Sequence, residues 1–101
     1  MPTTRDIFMA LYAAVAPVGD HTHIDDLSSV VEVNVPVGAT RIMMQSRVKS
    51  VRFTLDGTDP TSSLGFILLY EQGHVILPIK GCRLKFIQQT ASAEMDYQFL
   101  T

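Results

Sequence analysis

Apolar and polar residues alternate with a period of two along most of the chain after residue 29. The runs 31–35 and 51–55 place valine, phenylalanine or leucine at every second position. Further apolar runs occur in RIMMQS, FILLYEQ, VILPI, RLKFIQQ and MDYQFL, and glycine, proline or small polar residues separate them. The pattern predicts about seven short strands with no helix among them. It is typical of an all-β fold, an antiparallel β-sandwich of the jelly-roll or Ig-like kind.

The first 27 residues have a different pattern, which predicts an N-terminal arm and linker (1–27) ahead of a β-sandwich domain (28–101). The apolar side chains of the arm recur at helical spacing, which predicts one short helix that Pro17 and Gly19 end. An irregular arm fits the same residues equally well. The polar stretch GDHTHIDD that follows is interpreted as a solvated connector.

The arm is apolar enough to need a covering surface. Its candidate partner-binding residues are Ile7, Phe8, Leu11 and Tyr12. Either the protein's own sandwich or a neighbouring subunit can cover them. Because a small sandwich also has edge strands that invite pairing, a homo-oligomer or a docked subunit is expected.

The composition of the chain excludes several kinds of protein. The 101 residues allow one domain, and 47% hydrophobic content is enough for a core. The net charge of −2 comes without a basic cluster, so a nucleic-acid partner is not expected. The apolar run 7–18 is too short to span a membrane, and Asp6 neutralises Arg5 ahead of it, so neither a membrane anchor nor a signal peptide is predicted. A single cysteine, Cys82, excludes an internal disulfide and indicates a small residue near a turn.

The stretch VRFTLDGTDPTSSLG is the most distinctive in the chain. Asp56-Gly57 and Asp59-Pro60 are turn dipeptides, so residues 56–65 are predicted to form an excursion between two strands. Calcium needs six to eight oxygen ligands, which this loop does not supply alone. A structural turn is therefore favoured over a calcium site.

The sequence favours neither a metal site nor nucleophilic catalysis. His21 and His23 lie among Asp20, Asp25 and Asp26, which is a metal-binding composition, but a linker offers no rigid frame to make the ligands converge. No nucleophile elbow such as G-x-S-x-G occurs. The sequence predicts no enzyme, no cofactor and no metal site.

Three segments carry a resemblance to known families. VPVGATRI (35–42), VRFTLDGTDPT (51–61) and YQF (97–99) resemble elements of a set of small tailed-bacteriophage virion proteins, over about residues 30–101. The middle segment alone also resembles the YTLDGSDPT signature of the chitobiase C-terminal type of β-sandwich module. Both resemblances imply a β-sandwich and no catalytic residues.

The phage resemblance implies a structural virion protein, with a capsid decoration (cement) protein as the first expectation. Such a protein binds the assembled shell through its arm and edge strands, so its partners are the major capsid protein or other virion proteins. Its location is the virion, after synthesis in the host cytoplasm. A tail or neck subunit is one alternative. A glycan-binding module is another, although the sequence has no tryptophan and most of its aromatic residues fit inward strand positions: Phe53, Phe66, Tyr70, Phe86, Tyr97 and Phe99.

Overall fold

The computed structural model describes residues 16–101, which form eight β-strands and no helix. The strands are β1 (Pro17–Ile24), β2 (Val31–Val33), β3 (Arg41–Arg47), β4 (Val51–Thr54), β5 (Phe66–Leu68), β6 (Val75–Pro78), β7 (Leu84–Gln88) and β8 (Glu94–Leu100). They lie in two antiparallel sheets of four strands each. The prediction of an all-β antiparallel sandwich is confirmed.

The strand order is that of a jelly roll. The first sheet has the order β1-β8-β3-β6 and the second β2-β7-β4-β5. The pairs β1–β8, β2–β7, β3–β6 and β4–β5 are nested along the chain, as in a hairpin rolled up into two sheets. The edge strands are β1 and β6 in the first sheet, and β2 and β5 in the second.

The core lies between the sheets, where the alternation of the sequence puts the apolar side chains. Ile42 and Met44 enter it from β3, Val51 from β4, Phe86 from β7 and Met95 from β8, and all five are at most 1% exposed. Their neighbours in the strands face outward. Burial of these side chains drives the sheets together, at about 25 cal/mol per Å² of apolar surface.

Strand β1 is a correction to the sequence interpretation. The sequence interpretation places residues 17–24 in the arm and connector, but they form a strand that pairs with β8 on both sides of a bulge. The register shifts between Val18 and Thr22, so a bulge interrupts the pairing there. Gly19 lies inside this bulge with φ 75°. The bulge breaks the alternation that marks the other strands, which is why the segment resembled a linker.

The connections between edge strands differ on the two sides of the sandwich. The β1–β2 connection buries Leu27 completely, and the Leu27 carbonyl accepts a hydrogen bond from Gln88 N at 2.9 Å. The β5–β6 connection has no buried residue, and its Leu69 and Tyr70 side chains are 50% and 44% exposed. The sandwich is therefore covered on the first side and open on the second.

Candidate functional site

The two carboxylates of the loop 56–65 bind other groups of the protein. Asp56 Oδ1 accepts a hydrogen bond from Thr58 N at 3.0 Å, and this bond holds the pKa of the Asp56 carboxyl below its ordinary value. Asp59 Oδ1 lies 2.7 Å from Lys85 Nζ on β7. Pro60 is fully buried. The loop is a structural excursion fastened to the second sheet, as the sequence predicted.

The histidines of GDHTHIDD lie on β1 beside two acidic residues of β8. His23 Nδ1 is 2.7 Å from Asp96 Oδ1, and His23 Nε2 is 2.9 Å from Glu94 Oε1. His21 Nε2 lies 3.4 Å from Asp96 Oδ1. Arg47 of β3 completes the group, with Nη1 3.7 Å from Asp96 Oδ2. We call these five residues the β1–β8 charge cluster.

The charge cluster favours the protonated form of His23. The hydrogen bond to Asp96, followed by that to Glu94, raises the pKa of His23 above 6.5. Partial burial alone would raise the pKa of Asp96. Hydrogen bonds from His23 and His21 outweigh this effect, so the pKa of Asp96 is lowered. Asp96, Glu94 and Arg47 were missed by sequence reasoning because the pairing register of β1 and β8 is a long-range property.

Both ring nitrogens of His23 face carboxylates, so they do not converge with other ligands on a common point. Asp26 Oδ1 instead accepts bonds from Ser28 N (3.0 Å) and Ser28 Oγ (2.6 Å). Among residues 16–101, no group of three or more His, Cys, Asp or Glu side chains is arranged to hold a metal ion. The charge cluster ties β1 to β8 and, through Arg47, β8 to β3.

The open side of the sandwich forms an apolar groove between the edge strands β5 and β6. Its volume is about 340 Å³. We call it the β5–β6 groove. The residues that line it are Phe53, Leu55, Phe66, Ile67, Leu68, Gln72, Val75 and Leu77. Gln72 is the one polar side chain in this lining, and its Oε1 accepts a hydrogen bond from Leu69 N at 3.0 Å.

Large apolar side chains stand exposed around the groove. This set, the β5 rim, consists of Leu64, Phe66, Ile67, Leu69, Tyr70 and Ile76, which are 40% to 64% exposed. Phe66 is the most exposed, although register places it beside Phe53 on the inner face of the second sheet. The inward strand position predicted for Phe66 is confirmed, but its side chain is exposed because no neighbouring strand lies beyond β5 in the described residues. Tyr70 lies in the β5–β6 connection and not at an inward strand position, so that expectation is wrong. Phe53, Phe86 and Phe99 are buried as expected.

The predicted partner-binding residues Ile7, Phe8, Leu11 and Tyr12 lie outside the described residues. Cys82 is where the sequence placed it, after the turn in which Cys82 N donates to Ile79 O at 3.0 Å. The part of the chain from Ala16 to Thr101 holds no helix suited by length and hydropathy to crossing a membrane.

No family model matches the chain, and searches of curated proteins and of solved structures found no similar protein.

Proposed function

We propose that this protein is a structural virion protein of a tailed bacteriophage that decorates the capsid. It binds the assembled shell and stabilises it through contacts of its arm and its edge strands. The observation that carries the proposal is the β5 rim, six large apolar side chains exposed on β5, on β6 and in the loops next to them. Exposed apolar surface of this kind is typical of a protein–protein interface.

The chemistry of the rim supports docking over catalysis. The groove beside it has a lining with one polar side chain and no charged one, so it offers no acid, base or nucleophile to a substrate. Burial of apolar surface contributes about 25 cal/mol per Å², so covering roughly 300 Å² contributes about 7 kcal/mol before the costs of ordering and association. Repeated over many copies, such contacts resist internal pressure on a shell.

The resemblance of residues 30–101 to tailed-phage virion proteins supplies the biological setting of the proposal. The arm residues Ile7, Phe8, Leu11 and Tyr12 fit a second contact beyond the sandwich. Under this proposal the protein's partners are the major capsid protein and other copies of itself.

Co-sedimentation tests shell binding. The full chain is mixed with expanded, empty shells of the phage that encodes it, and the bound fraction is measured against protein concentration. We expect saturable binding that weakens at least ten-fold, about 1.4 kcal/mol, in the rim variant Leu69→Ser/Tyr70→Ser. The control is Val37→Ser, which removes a fully exposed apolar side chain distant in sequence from the rim.

Two results contradict the proposal. One is a full chain that does not sediment with shells at any concentration, and the other is binding that the rim variant retains undiminished. Binding to purified tails in place of shells would assign the protein to the tail or neck.

A glycan-binding module is the second candidate, and one observation favours it. Phe66 and Tyr70, both exposed, belong to the same short stretch of chain, and exposed aromatic rings stack on sugars. The scarcity of polar side chains in the adjacent groove argues for the first candidate, because a glycan site needs directed hydrogen bonds. A glycan array probed with the full chain and with Tyr70→Ser separates the two.

A further inference from the structure

The β5–β6 groove is a part of the core that lacks a cover. Val75 and Leu77 of β6 pair with Met44 and Ile42, which are buried, so all four side chains point between the sheets. Leu68 of β5 does the same from the second sheet and is 1% exposed. These inward positions end at the two edge strands, and the β5–β6 connection does not close the space between them.

The lining defines the chemistry of an occupant. Phe66 stands at the mouth of the groove with its ring centroid 5.7 Å from that of Phe53, and Phe53 in turn lies 6.1 Å from Phe86. The aromatic row thus extends from the core to the surface. With no charged side chain in the lining, the groove suits two or three apolar or aromatic side chains from a single segment.

The chain itself contains a segment of this chemistry. The fifteen residues before Ala16 include Ile7, Phe8, Leu11 and Tyr12, whose spacing predicts one apolar stripe on a helix. Amphipathic helices bind in apolar grooves through side chains at such positions.

The position of Ala16 determines which copy's groove the arm can fill. Ala16 O accepts a hydrogen bond from Thr101 N at 2.8 Å, so Ala16 continues the β1–β8 ladder at the end of the first sheet. One rung across this sheet joins Pro17, Leu100, Arg41 and Pro78. The arm therefore begins at the β1 edge, and the groove lies at the opposite edge, three strand spacings or roughly 14 Å away.

Leu11 lies six positions before Pro17, a separation that in the predicted helix spans about 9 Å along the axis, less than the roughly 14 Å between the two edges. Ala16 also continues the line of β1, which runs along the sheet and not across it. A groove at the opposite edge of a neighbouring molecule has no such restriction.

We propose that the arm of one copy docks in the β5–β6 groove of a second copy through Leu11 and its apolar neighbours. The arm and the groove lie on opposite edges of the jelly roll, so the contact between copies is head-to-tail. Such contacts generate a closed ring where the rotation from each copy to the next adds up to a full turn. The inference deepens the proposed function, since it identifies the neighbour that the arm contacts. Its test uses no shells, so its failure and that of shell binding are separate results.

Cross-linking between differently tagged full-length chains tests the contact. In a Cys82→Ser background, one chain carries Leu11→Cys and the other Phe66→Cys, and a short bismaleimide is added to the mixture. Position 66 is 64% exposed, so the substitution leaves the core intact. We expect a covalent heterodimer of the two tagged chains in denaturing gels.

Two matched controls define the specificity. Ala13→Cys places the thiol on the opposite side of the predicted helix, and Val37→Cys places it at a more exposed position outside the lining of the groove. Pairs that contain either control are expected to give at least ten-fold less heterodimer. Equal yields with the controls would overturn the proposal, because they indicate collision without docking.

Sedimentation of the full chain alone gives a second measurement. We expect self-association that weakens at least ten-fold in Phe66→Ser and stays within two-fold in Val37→Ser. A chain that remains monomeric at all concentrations overturns the proposal. So does a Leu11→Cys/Phe66→Cys double variant that cross-links only within single chains, since the arm then fills its own groove.

Discussion

Gly65 shows how a single position closes the loop 56–65. Its φ is 121°, a conformation open to glycine, and a Cβ built there would lie 2.9 Å from the carbonyl oxygen of Phe53. Phe53 belongs to the ladder of β4, so that oxygen cannot move without disturbing the sheet. The glycine lets the chain run back close against β4 and start β5.

Replacement of Gly65 by alanine is therefore expected to destabilise the fold by about 2 kcal/mol or more, through backbone strain and the contact with Phe53. Chemical denaturation of the full chain measures this loss. Gly73→Ala is the control, because Gly73 has φ 80° but open space around its Cβ position. Equal losses at both positions would show that the contact with Phe53 adds nothing.

Val48, unlike Gly65, is poorly suited to its backbone conformation. It is a β-branched residue at a position where the backbone favours glycine or asparagine. Its φ is 69°, and Lys49 N donates to Arg47 O across it at 2.7 Å, which makes a tight γ-turn between β3 and β4. Val48→Asn is expected to stabilise the protein by about 1 kcal/mol, a rise of about 4–8 °C in Tm. A thermal melt checks this, with Val37→Asn as the exposed control. An unchanged or lower Tm would contradict it.

Strand β1 sets the limit of sequence reasoning for single elements. Seven strands were predictable because each carries an inward apolar alternation. In β1 only Val18 and Ile24 are apolar and packed on the core, and the residues between them, including the bulge, are glycine or polar. Pairing with β8 and the β1–β8 charge cluster hold this strand in place. Both join residues far apart in the chain, so neither produces a recognisable pattern in the local sequence.

The charge cluster makes the attachment of β1 depend on pH. Asp96 and then Glu94 raise the pKa of His23 above 6.5, so the folded state binds its proton more tightly than the unfolded state does. The stabilisation is complete below the unfolded value and is lost as the pH rises through the folded pKa. The other groups facing this site, His21 and Arg47, lie on β1 and β3.

We therefore expect the Tm of the full chain to fall more between about pH 6 and pH 8 than the Tm of His23→Gln. NMR titration gives the direct measurement: the His23 ring should titrate above 6.5, and Asp96→Asn should lower its pKa by removing the largest cause. A His23 pKa at or below the ordinary value would contradict the assignment.

At the scale of the whole molecule, the inward direction of Phe66 and Leu68 was predictable but the absence of a cover was not. Alternation assigns a side chain to a face of its sheet, and only the topology shows that β5 and β6 are both edges on the same side. The groove exists because the strand order places these two edges side by side, and the β5–β6 connection has no buried residue that would cover the space between them. That the arm needs a partner stays a prediction from sequence, because its apolar residues lie outside the described residues.

The central claim is that the jelly roll sits on a capsid shell and that the β5 rim contacts its partners there. Cryo-electron microscopy of empty shells incubated with the full chain tests this most directly. We expect density for one jelly roll at each binding position on the outer surface, with the β5 rim against a neighbouring molecule and the arm in an adjacent groove. Bare shells under saturating protein, or jelly rolls whose rim faces solvent on every side, would contradict the claim.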